Sequence, residues 1–174
     1  MKRIIYALAL MLASGNLATT NAPLNRYELS APEAIDTTID DAFDLLKELE
    51  GFAPVAKWDV NAWRNGHGTK AAHRGEAITE AEAGRRARQT FDKCLAQLRA
   101  DYPELTDRAA GALASMLYNV GSFGPELRAA IRAGHPEKIA RIMARYVKVG
   151  GAVNKGVKAR RAREITFLLG AGQK

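Results

Sequence analysis

Two carboxylates stand nine residues apart in ELEGFAPVAKWDVNAWRNGHGT, residues 48–69: Glu50 closes an amphipathic run and Asp59 lies in a stretch of different pattern. Such a pair has a particular use when one group is held protonated and the other ionised. A glutamic acid shielded by apolar neighbours has its pKa raised and can give a proton to a leaving oxygen, whereas an aspartate beside water or a cation stays charged. Across a glycosidic bond that division of roles is hydrolysis, with carboxyls about 5–5.5 Å apart where configuration is retained and about 6.5–9.5 Å apart where it is inverted. Spacing alone does not single this out, because most Glu/Asp pairs at that separation are solvated surface charges.

The elements around the pair decide whether the two groups can face each other. Ile39, Ala42, Phe43, Leu46 and Leu49 recur every three or four residues and predict a helix, with Asp40 and Asp41 at its positive end. Gly51 lets the chain leave that helix and Pro54 opposes its continuation, so Glu50 is expected at the helix's C-terminal lip. Val55, Trp58, Val60 and Trp63 favour strands, and Asn61, Gly66 and Gly68 favour turns. A small antiparallel hairpin or three-stranded sheet carrying Asp59 follows. A helix end and a facing hairpin can flank a cleft.

Helices then return. Thr79 and Glu82 form a capping box opening a helix to about Arg99, and Thr106 caps an alanine- and glycine-rich central helix with Leu113, Met116, Leu117 and Val120 on one stripe. PELRAAIRAG starts in proline and ends in glycine, a short complete helix. HPEKIARIMARYVKVGG repeats that punctuation, and Ile139, Ile142, Met143, Tyr146 and Val147 predict one face of a helix running through Val147. A last helix, about Val157 to Leu169, is expected to turn Ala162, Ile165, Leu168 and Leu169 inward, leaving Lys155, Lys158, Arg160, Arg161 and Arg163 on an exposed basic face.

Composition narrows the chemistry. The single cysteine excludes an intramolecular disulfide and a cysteine zinc cluster, and Cys94 falls in phase with Ala87, Phe91 and Leu98, toward the core. His67, His73 and His135 lack metal-ligand spacing, so a metal enzyme is not expected, and hydrolysis by two carboxylates needs no metal or cofactor. A formal net charge of +7 favours anionic partners: nucleic acid, anionic lipid or a bacterial wall. MKRIIYALALMLASGNLATTNA has the layout of an export signal: Lys2 and Arg3, ten largely apolar residues from Ile4 to Ala13, then small polar ones. Residues 1–22 are therefore read as a signal peptide or a signal-arrest-release segment, residues 23–35 as a linker, and residues 36–174 as the catalytic domain. Export to the periplasm or secretion argues against nucleic acid as the partner.

Taken with the spacing of its later segments, the stretch resembles the phage-type lysozymes of glycoside hydrolase family 24. Glu50-Gly51 and Asp59 match that family's first-helix Glu-Gly and its Asp nine residues on, while Trp63, Gly66 and Gly68 match the aromatic and glycines of the following strand. ITEAEAGRRARQTFD, ALASMLYNVGSFGPELRAAIRAG and KVGGAVNKGVKARRAREITFLLG are similar to later family segments in the same order, so the resemblance covers about residues 38–170. It implies an α+β, mostly helical, lysozyme-like fold with a small β-hairpin lobe and a larger helical lobe. It also implies a monomeric muramidase acting on peptidoglycan with inversion, Glu50 as general acid and Asp59 as the carboxylate that activates water.

One departure bears on mechanism. The family's water-positioning threonine falls on Arg64 when the glycines are aligned, or on Asn65 when residues are counted from Glu50, because the hairpin is one residue shorter. Arg64 can pair with Asp59 or point to solvent; Asn65 can hold the water. Thr69 replaces a histidine of the family's strand, and His67 falls between the glycines as a hairpin residue. Asn119 falls where the family has a cleft-side amide, a candidate for substrate contact or a helix cap. Trp58 and Trp63 either stack on sugars or pack the small lobe. The leader's apolar residues, about 4–20, allow a transient association with the inner membrane.

Overall fold

The computed structural model describes residues 38–59 and 61–170, so the expected leader and linker lie outside the described residues. Helix α1 (Thr38–Glu50) leads into strands β1 (Ala53–Asp59), β2 (Ala62–Gly66) and β3 (Thr69–Lys70). Helices α2 (Glu80–Asp101), α3 (Asp107–Val120), α4 (Pro125–Arg132) and α5 (Pro136–Met143) follow. A second hairpin, β4 (Lys148–Val149) and β5 (Ala152–Val153), precedes α6 (Lys155–Leu168). The expected architecture is present: a small antiparallel sheet in the order β1-β2-β3 beside a larger helical lobe.

The helical lobe is organised around α3. Every residue from Ala109 to Leu117 is buried, and Gly111 explains how closely its neighbour approaches. A Cβ there would stand 2.6 Å from the Cβ of Ala42, so α1 crosses α3 at a distance only glycine permits. Phe43 and Leu46 of α1, Phe91 and Leu98 of α2, Leu127 of α4, and Ile139 and Met143 of α5 complete this core. Phe43 meets Phe91 with ring centroids 5.5 Å apart, the tilted arrangement that aromatic quadrupoles favour. Cys94 packs at the margin of the same core, and burial pushes its thiol above the ordinary range.

Local chemistry sets the helix ends. The Thr79 hydroxyl accepts the Glu82 N–H at 3.2 Å, but the reciprocal half of the capping box is absent. The Glu82 carboxylate turns instead to Arg85 and Arg86. Thr106 caps α3 through the Ala109 N–H, and Asn154 caps α6 through the Val157 N–H.

Three expectations about helices are corrected. Helix α5 stops at Met143 rather than running through Val147: the chain turns at Ala144 and Arg145, and Tyr146 leaves the helix to accept the Gly124 N–H on its hydroxyl at 3.0 Å. Residues 148–153 then form the β4–β5 hairpin, paired Lys148 with Val153 and Val149 with Ala152, which the periodicity did not announce. In α6, Ala162 and Leu169 are exposed, while Arg160, Arg161 and Glu164 are buried. Two of the five residues of the expected basic face, Arg160 and Arg161, are thus turned into the protein.

Candidate active site

The two carboxylates are placed as the sequence leads one to expect. Glu50 is the last residue of α1; Gly51, at φ 66°, turns the chain out of the helix into β1, whose last residue is Asp59. Strand β1 pairs with β2 so that Lys57 opposes Arg64, Trp58 opposes Trp63 and Asp59 opposes Ala62. Side chains alternate across a sheet, so Lys57, Asp59 and Arg64 share one face and the tryptophans share the other.

Arg64 connects the pair. Its Nε lies 3.5 Å from Asp59 Oδ2, and its guanidinium donates to the carbonyl oxygen of Gly68 at 3.1 Å. Gly68, at φ 79°, abuts the other carboxylate: a Cβ on it would lie 2.8 Å from Glu50 Oε2. One arginine thus reaches from Asp59 to the glycine beside Glu50. Of the two residues at the departure from the family threonine, Arg64 is the one beside Asp59. Asn65 is turned away from it, 1% exposed, with its amide donating to the backbone carbonyl and carboxylate of Glu76 at 3.3 Å each.

The Glu50 side chain is 16% exposed and lies beside a cation. Its Oε1 accepts from Arg160 at 2.7 Å. Arg160 also donates through Nε to Glu164 Oε1 at 3.1 Å, and Glu164 receives the Ser115 hydroxyl at 2.9 Å. On its other oxygen, Glu164 pairs with Arg161, which in turn donates to Asn119 Oδ1 and to the Tyr146 carbonyl oxygen. The result is a chain of alternating charge, Glu50, Arg160, Glu164, Arg161, with Glu164 fully buried. Burial disfavours the charged form of Arg161 and lowers its pKa, with the Glu164 carboxylate opposing that shift.

A second set of contacts fixes the turn beside Glu50. His67 is buried between Gly66 and Gly68, and its Nδ1 lies 2.6 Å from the Gly51 carbonyl oxygen, which as an acceptor requires the proton on that nitrogen. The Tyr118 hydroxyl of α3 donates to the His67 carbonyl oxygen at 2.6 Å. Burial raises the Tyr118 phenol well above its ordinary range, and the Glu50 carboxylate adds to that shift. His67 is therefore a clamp between α1, the β2–β3 turn and α3, a role its position in the hairpin alone did not indicate.

The remaining candidates separate. Asn119 does not cap α3; Gly121 ends that helix in the left-handed conformation, and Asn119 lies exposed against Arg161. It borders a hollow of about 420 Å³ with Ser122, Tyr146, Lys148 and Val149. Trp58 is 60% exposed, so it does not pack the small lobe, and its ring meets Trp63 edge-on at 5.5 Å. An apolar hollow of about 240 Å³, between the α2–α3 turn and the ends of α4 and α5, shares no residue with this site. Among the described residues no cluster of His, Cys, Asp and Glu is arranged to hold a metal ion.

Residues 47–164 match the family model described as phage lysozyme, a span that contains Glu50, Asp59, Arg160 and Glu164. No curated protein sequence matches the chain. Among solved structures, the muramidase domain of SpmX from Asticaccaulis excentricus is similar with a TM-score of 0.66 at 22% identity, over 74% of this chain and 95% of that one. An endolysin from Escherichia coli O157:H7 phage FAHEc1 is similar with a TM-score of 0.66 at 24% identity, over 76% and 93% of the two chains. The active form of P1 phage endolysin Lyz gives 0.65 at 16%, over 77% and 90%. At these identities the structures speak to the fold alone; the family match, over well more than half the length, establishes that the chain belongs to the phage lysozyme family.

Proposed function

We propose that the protein is a peptidoglycan muramidase of the endolysin kind, cleaving the β-1,4 bond between N-acetylmuramic acid and N-acetylglucosamine with inversion. The observation that carries this reading is the pairing of Glu50 at the lip of α1 with Asp59 at the end of β1, joined through Arg64 and Gly68. Glu50 gives its proton to the leaving oxygen. Asp59, exposed and beside the Arg64 guanidinium, takes a proton from water on the opposite face of the sugar. Arg160 holds the Glu50 carboxyl in place and meets the charge it acquires once the proton has left. Asn119, at the border of its hollow, is the amide offered to the saccharide.

Zymography on purified peptidoglycan tests this. The native chain clears the substrate, Glu50→Gln does not, and Asp59→Asn clears it by about 10²–10⁴-fold less, the range typical of a lost acid or base. Full activity in Asp59→Asn would remove that residue from the mechanism. A second reading is favoured by one contact: Arg64 already occupies Asp59, as in a wall-binding relative whose site no longer turns over. Retention on peptidoglycan without clearing supports that reading. The substrate lies beyond the cytoplasmic membrane, in keeping with export directed by residues 1–22 and a transient membrane association through residues 4–20.

A further inference from the structure

Each residue of Gly66-His67-Gly68, where β2 turns into β3, meets a group outside the turn. Gly66 lies against α2, where a Cβ would stand 2.7 Å from the Cβ of Ala83, and Gly68 lies against the Glu50 carboxyl, where a Cβ would stand 2.8 Å from Oε2. His67 sits between them, 4% exposed, and is engaged twice. Its Nδ1 donates to the carbonyl oxygen of Gly51, the residue after Glu50, at 2.6 Å. Its own carbonyl oxygen, in the peptide that joins it to Gly68, accepts from the Tyr118 hydroxyl at 2.6 Å. Both bonds end on peptide groups beside Glu50, one following it in the chain and one leading into the glycine that faces it. The ring of Tyr118 packs against the helical core, where phenylalanine would fill the same space; its hydroxyl alone is directed to the turn.

We propose that His67 and Tyr118 are positioning residues for the Glu50 carboxyl, holding in place the backbone against which its second oxygen is set. This rests on the muramidase reading and adds to it two groups on which the proton donor depends. Arg160 engages Oε1, so Oε2, beside Gly68, is the oxygen that carries the proton to the leaving group. An ion pair to one oxygen leaves the carboxyl free to rock about that contact, and the backbone at Gly68 limits the rocking. Where Gly68 stands is decided by the His67 bond to the end of α1 and the Tyr118 bond from α3. A misplacement of about 1 Å at a reacting group costs up to about 10²-fold in rate. Neither residue needs to touch the sugar to cause one.

The test measures kcat and KM on soluble, uncross-linked peptidoglycan strands for the full chain and its variants. His67→Phe keeps a ring against Phe52 and removes the donor, Tyr118→Phe removes only the hydroxyl, and His67→Asn offers an amide nitrogen where Nδ1 stands. His73→Phe, at an exposed histidine, is the control and keeps the native rate. His67→Phe and Tyr118→Phe are each expected to lower kcat about 10- to 100-fold with KM within about twofold of native, the signature of a misplaced group rather than a lost sugar contact. The double variant is expected to fall little below the worse single one, since both bonds act on one turn, and His67→Asn to recover most of the loss. Full kcat in both single variants, even with a lowered melting point, shows a structural role only and overturns the proposal. A raised KM with kcat unchanged overturns it too, as does a folded His67→Asn without recovery. Circular dichroism melts identify a variant that does not fold; if His67→Phe is one, Tyr118→Phe decides, because its ring stays against the core. A native chain that cleaves strands, beside single variants with full kcat, upholds the muramidase reading and defeats the positioning one, whereas a native chain that cleaves nothing defeats both.

Discussion

Glu50 is held by a partner that is itself held. Arg160 divides its guanidinium between Glu50 and Glu164, so the orientation of the Glu50 carboxyl depends on a fully buried one. Replacing Glu164 by glutamine keeps the shape but leaves Arg160 and Arg161 without the carboxylate between them. Breaking a buried pair in this way costs about 3–5 kcal/mol, so Glu164→Gln is expected to lower the thermal midpoint by many degrees; a variant that melts with the native chain would show that the charges carry no such weight. Glu50 and Asp59 were legible because nine residues and a glycine turn place them. Arg160 was not, because it lies 110 residues away, and a local pattern contains no information about contacts at that range. Its alternation with Arg161 and Glu164 reads as a solvated helix face when no partner is in view.

Between elements, the small sheet is tied to α2 by one carboxylate. Glu76 accepts the Ala72 N–H at 2.7 Å and the Asn65 amide at 3.3 Å, and pairs with Arg86 of α2 at 2.9 Å. The Arg86 hydrogen bond first, then the Ala72 N–H, lower its pKa from 4.5 to about 2. A carboxyl depressed on folding contributes stability that is fully present above its unfolded value and is lost as pH falls through its folded one. The small lobe is therefore expected to lose this contribution between about pH 4.5 and about 2, and Glu76→Gln is expected to flatten that part of the stability curve. Equal acid sensitivity in the variant, followed by circular dichroism melts at stepped pH, would count against it. Most elements were legible from their punctuation: Thr79, Thr106 and the prolines of α4 and α5 all stand where helices begin. Helix α5 was overextended because Tyr146 and Val147 keep its period while their burial comes from another cause, the contact of Tyr146 with the start of α4. Strands of two residues, as in β4 and β5, are too short to carry an alternating pattern.

For the molecule as a whole, the family match and the lysozyme-like architecture agree with the reading of separated motifs in order. The expected export of the chain is tested by sequencing the N-terminus of protein recovered from the periplasm. A start near residue 23 supports cleavage of the leader, a soluble chain beginning at Met1 supports release without cleavage, and retention in the cytosol defeats export. No helix among the described residues is long and apolar enough to cross a membrane.

The edge-on pair formed by Trp58 and Trp63 has an optical consequence. These are the chain's two tryptophans, and both lie on the small sheet, Trp58 directly before Asp59. Indole emission is accordingly a report from one lobe, while far-ultraviolet ellipticity is dominated by the helices of the other. Followed together, the two signals let each half of the protein be watched separately, without a label.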